Sequence, residues 1–151
     1  IKANGQWWHE GVRMTRQPLI DLFASVLWCE QKNGSSEYFL KTPVEKVKIQ
    51  VEDAPLLVTE VSETLDANQQ CVWWAKTSTS DVIAISAQHP IVLKAYNGQM
   101  RPYVLIRSGL WALIHRNSFY HLVSKATLLD EDGMLMRIDS GDDSFILNAK
   151  G

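Results

Sequence analysis

Cysteine occurs only twice, at Cys29 and Cys71, each inside an apolar run of strand-like composition, VLWCE and CVWWA. Two thiols are too few for a disulfide framework or a thiolate metal cluster. They read as reduced core cysteines, with a bridge between the two as the minor alternative. No apolar run approaches the roughly 18 residues that a membrane-spanning helix requires. No leader-like stretch opens the sequence, and the expected location is the cytoplasm. A net charge of -2 argues against binding of polymeric nucleic acid by bulk electrostatics.

The common enzyme signatures are missing too. There is no Gly-rich phosphate loop, no G-x-S-x-G elbow, no H-E-x-x-H and no cysteine cluster with metal spacing. No order of Ser, His and Asp marks a triad. His115 and His121 are six residues apart, which places them on different faces of a helix and argues against a shared metal site. The sequence therefore implies no cofactor and no metal, and favours a non-catalytic protein over an enzyme. Were there catalysis, His89 and Glu45 are the pair to test as general base.

The most useful absence is local. Between Val82 and Leu129 there is no Asp or Glu, while Lys94, Arg101, Arg107, Arg116 and Lys125 all lie there. The next segment, Asp130 to Asp143, is strongly acidic and carries Arg137 alone as a fixed cation. Either the first segment forms a positive cleft, or the acidic turns fold back and neutralise it.

What is present describes a globular α+β chain. It has 151 residues, and its apolar share of 46% is too high for a disordered segment. In RQPLIDLFASVL, the residues Leu19, Leu22, Phe23 and Val26 make a helical apolar stripe, with Thr15 as an expected N-cap. A hairpin turning at Asn33-Gly34 follows. Strands are expected near Val47–Glu52, Leu56–Leu65 and CVWWAKT, and the polar TSTSD is the preferred boundary between halves. The division is thus 1–80 and 81–151. The second half begins with strands VIAIS, IVLKAY and PYVLIR, with a turn at Asn97-Gly98. SGLWALIHRNSFYHLVSKA reads as two helical pieces hinged near Arg116-Asn117. Three short strands separated by DEDG and SGDD close the chain. The segments starting at Arg16 and Arg116 share a spacing of apolar residues followed by a glycine turn, at Gly34 and Gly133, which suggests a duplicated helix-plus-sheet unit.

Candidate site residues follow from chemistry. Arg101 and Arg107 flank a strand that also carries Tyr103; arginine forks match phosphate or carboxylate, and tyrosine offers a stacking face. Arg116 and Tyr120 stand at an expected helix start, where free backbone N–H groups favour an anion. The structural alternative is an ion-pair network from Arg107 or Arg116 to the acidic turns near Asp139 and Asp142. His89, before Pro90, either hydrogen-bonds a ligand or satisfies a turn. Trp7-Trp8 and Trp73-Trp74 are adjacent pairs in strand-like runs, so one ring of each should point inward and the other outward. In YFLKTPVEKVKIQVEDAP, Pro43 ends a strand, and Thr42 and Glu45 have capping-box spacing.

Taken together, HEGVRMTRQPLIDLFASVLWCEQKNG, YFLKTPVEKVKIQVEDAP, HPIVL, RPYVLIRSGLWALIHRNSFYHLV and DSGDDSFIL resemble the bacterial domain-of-unknown-function family 1285 over nearly the full chain. The resemblance implies two related, packed helix-plus-antiparallel-sheet repeats, the C-terminal one like a pleckstrin-homology domain. It also implies a ligand site between the halves, a nucleotide-like ligand and a link to signal transduction. The family pattern falls on Arg16, Thr42, Pro43, Glu45, Lys46, His89, Pro90, Arg101, Pro102, Tyr103, Arg107, Arg116, Tyr120 and Gly141. The turn KNGSSEY is longer here than the short DG turn of the family. The expectation is a small-anion-binding module: Arg101, Arg107 and Arg116 hold the anion, Tyr103 or Tyr120 stacks, and Thr42 and His89 hydrogen-bond. Arg16, Glu45 and Lys46 support the interface, Glu45 by pairing with an arginine. The rival is a protein-interaction or scaffold domain, with self-association open.

Overall fold

The computed structural model describes residues 1–132 and 135–148. A two-stranded ribbon, β1 (Trp8–His9) and β2 (Val12–Arg13), leads into helix α1 (Gln17–Ser25). Strands β3 (Leu27–Lys32), β4 (Ser35–Lys41) and β5 (Lys46–Ile49) then form an antiparallel sheet in chain order. The next six strands are β6 (Leu56–Leu65), β7 (Cys71–Thr77), β8 (Val82–Ala84), β9 (Ile91–Tyr96), β10 (Gln99–Arg107) and β11 (Leu110–Ile114). They build one sheet of order β8-β7-β6-β11-β10-β9, in which β11 and β6 pair in parallel. Helix α2 (Arg116–Lys125) follows, then β12 (Thr127–Leu128), β13 (Leu135–Ser140) and β14 (Asp143–Asn148), again antiparallel and in chain order.

The fold is thus mixed α+β, mostly sheet. A helix followed by a three-stranded meander occurs twice, as α1 with β3–β5 and as α2 with β12–β14. The Gly133 turn lies outside the described residues. The expected boundary near Ser80 falls in the turn joining β7 to β8, which are neighbours in the central sheet. Among the described residues no helix is long and apolar enough to cross a membrane. Both cysteines are free thiols, so the bridge is not formed.

Turn chemistry sets much of the register. Asn33-Gly34, Asn97-Gly98 and Ser108-Gly109 each place two successive residues at positive φ, the requirement of a two-residue hairpin whose twist matches its strands. Pro102 stands inside β10 without breaking the sheet. Its missing N–H falls beyond the end of the β11 ladder, which reaches back only to Tyr103 opposite Leu113.

Two expectations are corrected. LWALI is strand β11, not helix: Leu110, Ala112 and Ile114 are buried in strict alternation, and α2 starts only at Arg116. Its composition suits a helix, but residues 110–113 pair with β10 and residues 112–114 with β6, and tertiary pairing overrides propensity. In α1 the buried residues are Ile20 and Ala24, while Leu19 and Leu22 are 37% and 59% exposed. The helix is apolar almost all round, so the 3.6-residue period could not select the inward face. Its N-cap is Arg16, without a side-chain bond, instead of Thr15.

The Trp pairs split as alternation requires. Trp7 and Trp73 are buried and Trp8 and Trp74 exposed. One contiguous core joins Trp7, Ile20 and Leu27 to Leu56, Trp73, Val104, Ala112, Leu122 and Leu147. α2 packs on β6, β13 on β7 and β14 on β9. The edge ring of His121 meets Trp73 at 5.4 Å between centroids. On the same side the buried Ser140 hydroxyl accepts from the Trp73 N–H at 2.9 Å and donates to the Ile85 carbonyl at 2.6 Å. Ser140→Ala orphans both backbone groups and is expected to lower stability by about 1–3 kcal/mol, read as a reduced urea midpoint with an unchanged slope.

Candidate functional site

Asp53 organises the junction between the first three-stranded sheet and the central one. The Tyr103 hydroxyl donates to its two carboxylate oxygens at 2.7 and 2.8 Å, and Arg101 Nη1 donates to Oδ2 at 2.6 Å. The same Arg101 nitrogen reaches the Ala3 carbonyl at 3.3 Å, and the guanidinium lies 4.8 Å over the Tyr96 ring. Burial, reinforced by the hydrogen bond and charge of Asp53, pushes the Tyr103 phenol far above its ordinary value. Arg101 and Tyr103 therefore act first as a joint between chain segments.

Arg107 has a similar role. Its Nη2 donates to the Ala24 carbonyl near the end of α1 at 2.8 Å, and its Nε to Asp81 at 3.3 Å. The acids that answer these arginines are thus Asp53 and Asp81, which precede the acid-free segment. In the acidic segment after it, Arg137 pairs with Asp139 on the same strand β13 at 3.0 Å, and Asp143 accepts from the Ala87 N–H at 2.9 Å. The expected pairing of Arg107 or Arg116 with Asp139 or Asp142 is not formed among the described residues.

The remaining expected residues divide. His89 Nδ1 meets the Leu105 carbonyl at 2.9 Å; a carbonyl only accepts, so Nδ1 carries the proton. With its backbone bonded both ways to Ser86, His89 pins a turn onto β10 and is held there structurally. Thr42 Oγ1 accepts from the Glu45 N–H at 3.1 Å and closes the TPVE corner. The Glu45 carboxylate makes no ion pair among the described residues, so the expected Glu45–arginine contact is absent. Nor does any described contact join Glu45 to His89 as a catalytic pair. Lys46 pairs with Glu30 at 2.6 Å and lies 4.4 Å over the Phe39 ring. Arg16 is exposed and contributes only backbone to α1.

Two clefts collect the others. One, of about 250 Å³, brings Arg101, Arg116 and Tyr120 together at the first turn of α2. There the His115 ring accepts from the Asn117 N–H at 3.2 Å, and no acidic residue occupies the first turn. The other, of about 480 Å³, joins Ser25, Trp28, Lys41 and Thr42 to Arg107 and Ser108. No carboxylate lines it. Lys41 Nζ stands 4.1 Å over the exposed Trp28 ring, whose Nε1 donates to Glu30 at 3.0 Å. The expected set is therefore not one site: Thr42 and Arg107 share one cleft, Arg101, Arg116 and Tyr120 another, and His89 neither. Trp28 and Lys41 were not anticipated, although alternation in LWCE and FLK places both on a surface. Asp53 gave only the weak signal of an acid before Pro55. No group of three metal-ligating side chains occurs among the described residues.

Fold and junction define a two-unit α+β protein whose first unit ends at the Asp53 joint. The chain belongs to the DUF1285 family: the family's N-terminal domain, a domain of unknown function, matches residues 1–54, and its C-terminal domain matches 55–147. A DUF1285 family protein from Silicibacter pomeroyi DSS-3 superposes with a TM-score of 0.85 at 31% identity, over 98% of this chain and 78% of that one. Another, from Shewanella baltica OS155, gives a TM-score of 0.62 at 32% identity over 85% and 91% of the two chains. No curated protein matches the chain. The Asp53 contacts thus cross from the N-terminal to the C-terminal family domain.

A raised phenol pKa means that the folded protein keeps a proton the unfolded chain gives up at high pH. Stability contributed by Tyr103 is complete below the ordinary tyrosine value of about 10 and declines as pH rises above it. Tyr103→Phe is expected to flatten part of that alkaline decline in thermal melts, the Tyr38 phenol, also raised by burial, supplying the remainder.

Proposed function

We propose that this protein is a non-catalytic binding module for a small anionic, nucleotide-like ligand held between its two units. The observation that carries the reading is the cleft of about 480 Å³ in which Trp28, Lys41 and Thr42 of the first unit face Arg107 and Ser108 of the second. Lys41, with no carboxylate among the lining residues, supplies the charge that favours an anion, while Arg107, neutralised by Asp81, shapes the wall. Trp28 supplies a flat face for a base, the hydroxyls of Ser25, Thr42 and Ser108 suit phosphate or ribose oxygens, and Arg107 is held in place by Asp81 and Ala24. A ligand spanning both units would tie them together, which is the behaviour of a module that signals occupancy. We carry two structural proposals with it. The twice-repeated order of helix and meander supports a duplicated unit, and the antiparallel β9–β11 run closed by α2 supports the pleckstrin-homology-like reading of the C-terminal half.

Thermal melts with AMP, ADP and cyclic AMP test the reading. Saturation at 100 times the dissociation constant adds about 2.7 kcal/mol. Lys41→Glu is expected to abolish the shift and Trp28→Ala to weaken it, whereas Arg116→Glu, in the other cleft, leaves it. No shift from any of the three at millimolar concentration removes the proposal.

A protein-interaction role is the second reading, and the outer face of α1 supports it: Leu19 and Leu22 are exposed apolar side chains on a helix that already buries Ile20 and Ala24. On that reading Leu22→Glu changes the mass measured by light scattering, from an oligomer to a monomer, without lowering the melting temperature.

A further inference from the structure

We propose that a third cleft, between β4, the Asp53–Pro55 connection and β9–β11, binds a small aromatic carboxylate. It is a site apart from the Trp28 cleft. Its volume of about 250 Å³ is below the roughly 300–1,000 Å³ of pockets for drug-sized ligands. The occupant is accordingly one single or fused ring with a short acidic arm.

The ring is specified by the walls. Tyr38, Tyr103 and Trp111 come from three different strands and line one cavity. Tyr103 and Trp111 share a sheet face, since Tyr103 pairs with Leu113 and Leu105 with Trp111 in the β10–β11 ladder, and side chains two apart point the same way. The Tyr103 hydroxyl is committed to Asp53, which fixes that ring's plane. Rigid aromatic walls favour a flat π-system in stacked or edge-on contact.

The acid is specified by charge. Lys94, which lines the cleft, is directly opposite Arg101 in the β9–β10 ladder, a like-charge pair that is unfavourable in itself. Asp53 neutralises Arg101 at 2.6 Å, and Lys94 has no ion pair among the described residues. The charge of Asp53 is already balanced by Arg101, and both its oxygens also accept from the Tyr103 hydroxyl. A ligand carboxylate at Lys94 completes the charge balance; an amide does not.

Isothermal titration with indole-3-acetate and its neutral counterpart indole-3-acetamide tests this. The wild-type chain is expected to bind the acid at least about tenfold tighter than the amide. Lys94→Gln, at an exposed position that leaves the core intact, is expected to erase the difference, and Trp111→Leu to weaken both. Equal affinity for acid and amide, an unchanged preference in Lys94→Gln, or no heat from the acid at millimolar concentration overturns the proposal. Displacement of the acid by AMP overturns the separateness of the site. Binding of the acid by a chain that binds no nucleotide supports this cleft while refuting the Trp28 reading alone.

Discussion

The Asp53 carboxylate accepts the Tyr103 hydroxyl on both oxygens and the Arg101 guanidinium on one, at a point where the chain passes from its first sheet to its second. Much of the architecture follows from that cluster. It fixes the face of β10 toward residues 1–54, and Arg101 extends the joint to the Ala3 carbonyl. Nearby, Gly5 sits at φ +89°, where an L side chain is strained, and an added Cβ would press on the Leu57 side chain at 3.0 Å. Hydrogen bonds to a partly buried carboxylate are strong and directional, and loss of one partner leaves the others poorly satisfied. Apolar contact alone would allow the units to slide; this cluster gives them a register.

The same economy of charge explains the clefts. An acid-free stretch of five cations looked like the maker of a positive pocket, yet Arg101 and Arg107 are neutralised by Asp53 and Asp81, and Lys125 approaches Glu63 at 3.9 Å. Lys94 and Arg116 are left without ion pairs among the described residues, each at the edge of a cleft. Lys41 joins them from the N-terminal unit, over the Trp28 ring. The proposed anion sites thus rest on the cations the fold does not use to hold itself together. That is why the paired arginines give the clefts shape while exposed lysines and Arg116 give them charge.

Local chemistry was legible where a single rule governed. Alternation located β6, β7 and β9 to the residue, Asn-Gly pairs located two hairpin turns, and adjacent tryptophans separated into one buried and one exposed ring. It was ambiguous where two rules applied at once. LWALI has helix-forming residues in a strand pattern, and PLIDLFASVL offers an apolar residue on almost every side. His89 and Thr42 fit a ligand role or a turn role in sequence, and each has a backbone partner, at Leu105 and Glu45, that serves the turn.

By itself, then, the sequence determined the class of elements, the turns that join them, the sheet-rich α+β character and the residue types able to meet an anion. Those properties depend on neighbours a few residues apart, which a linear pattern records. Only the tertiary structure decided which cations remain available. Asp53 meets Arg101 across 48 positions of sequence and Arg107 meets Ala24 across 83. Pairings so distant leave no local periodicity, so the division of one expected site into separate clefts became visible only when the two units came together.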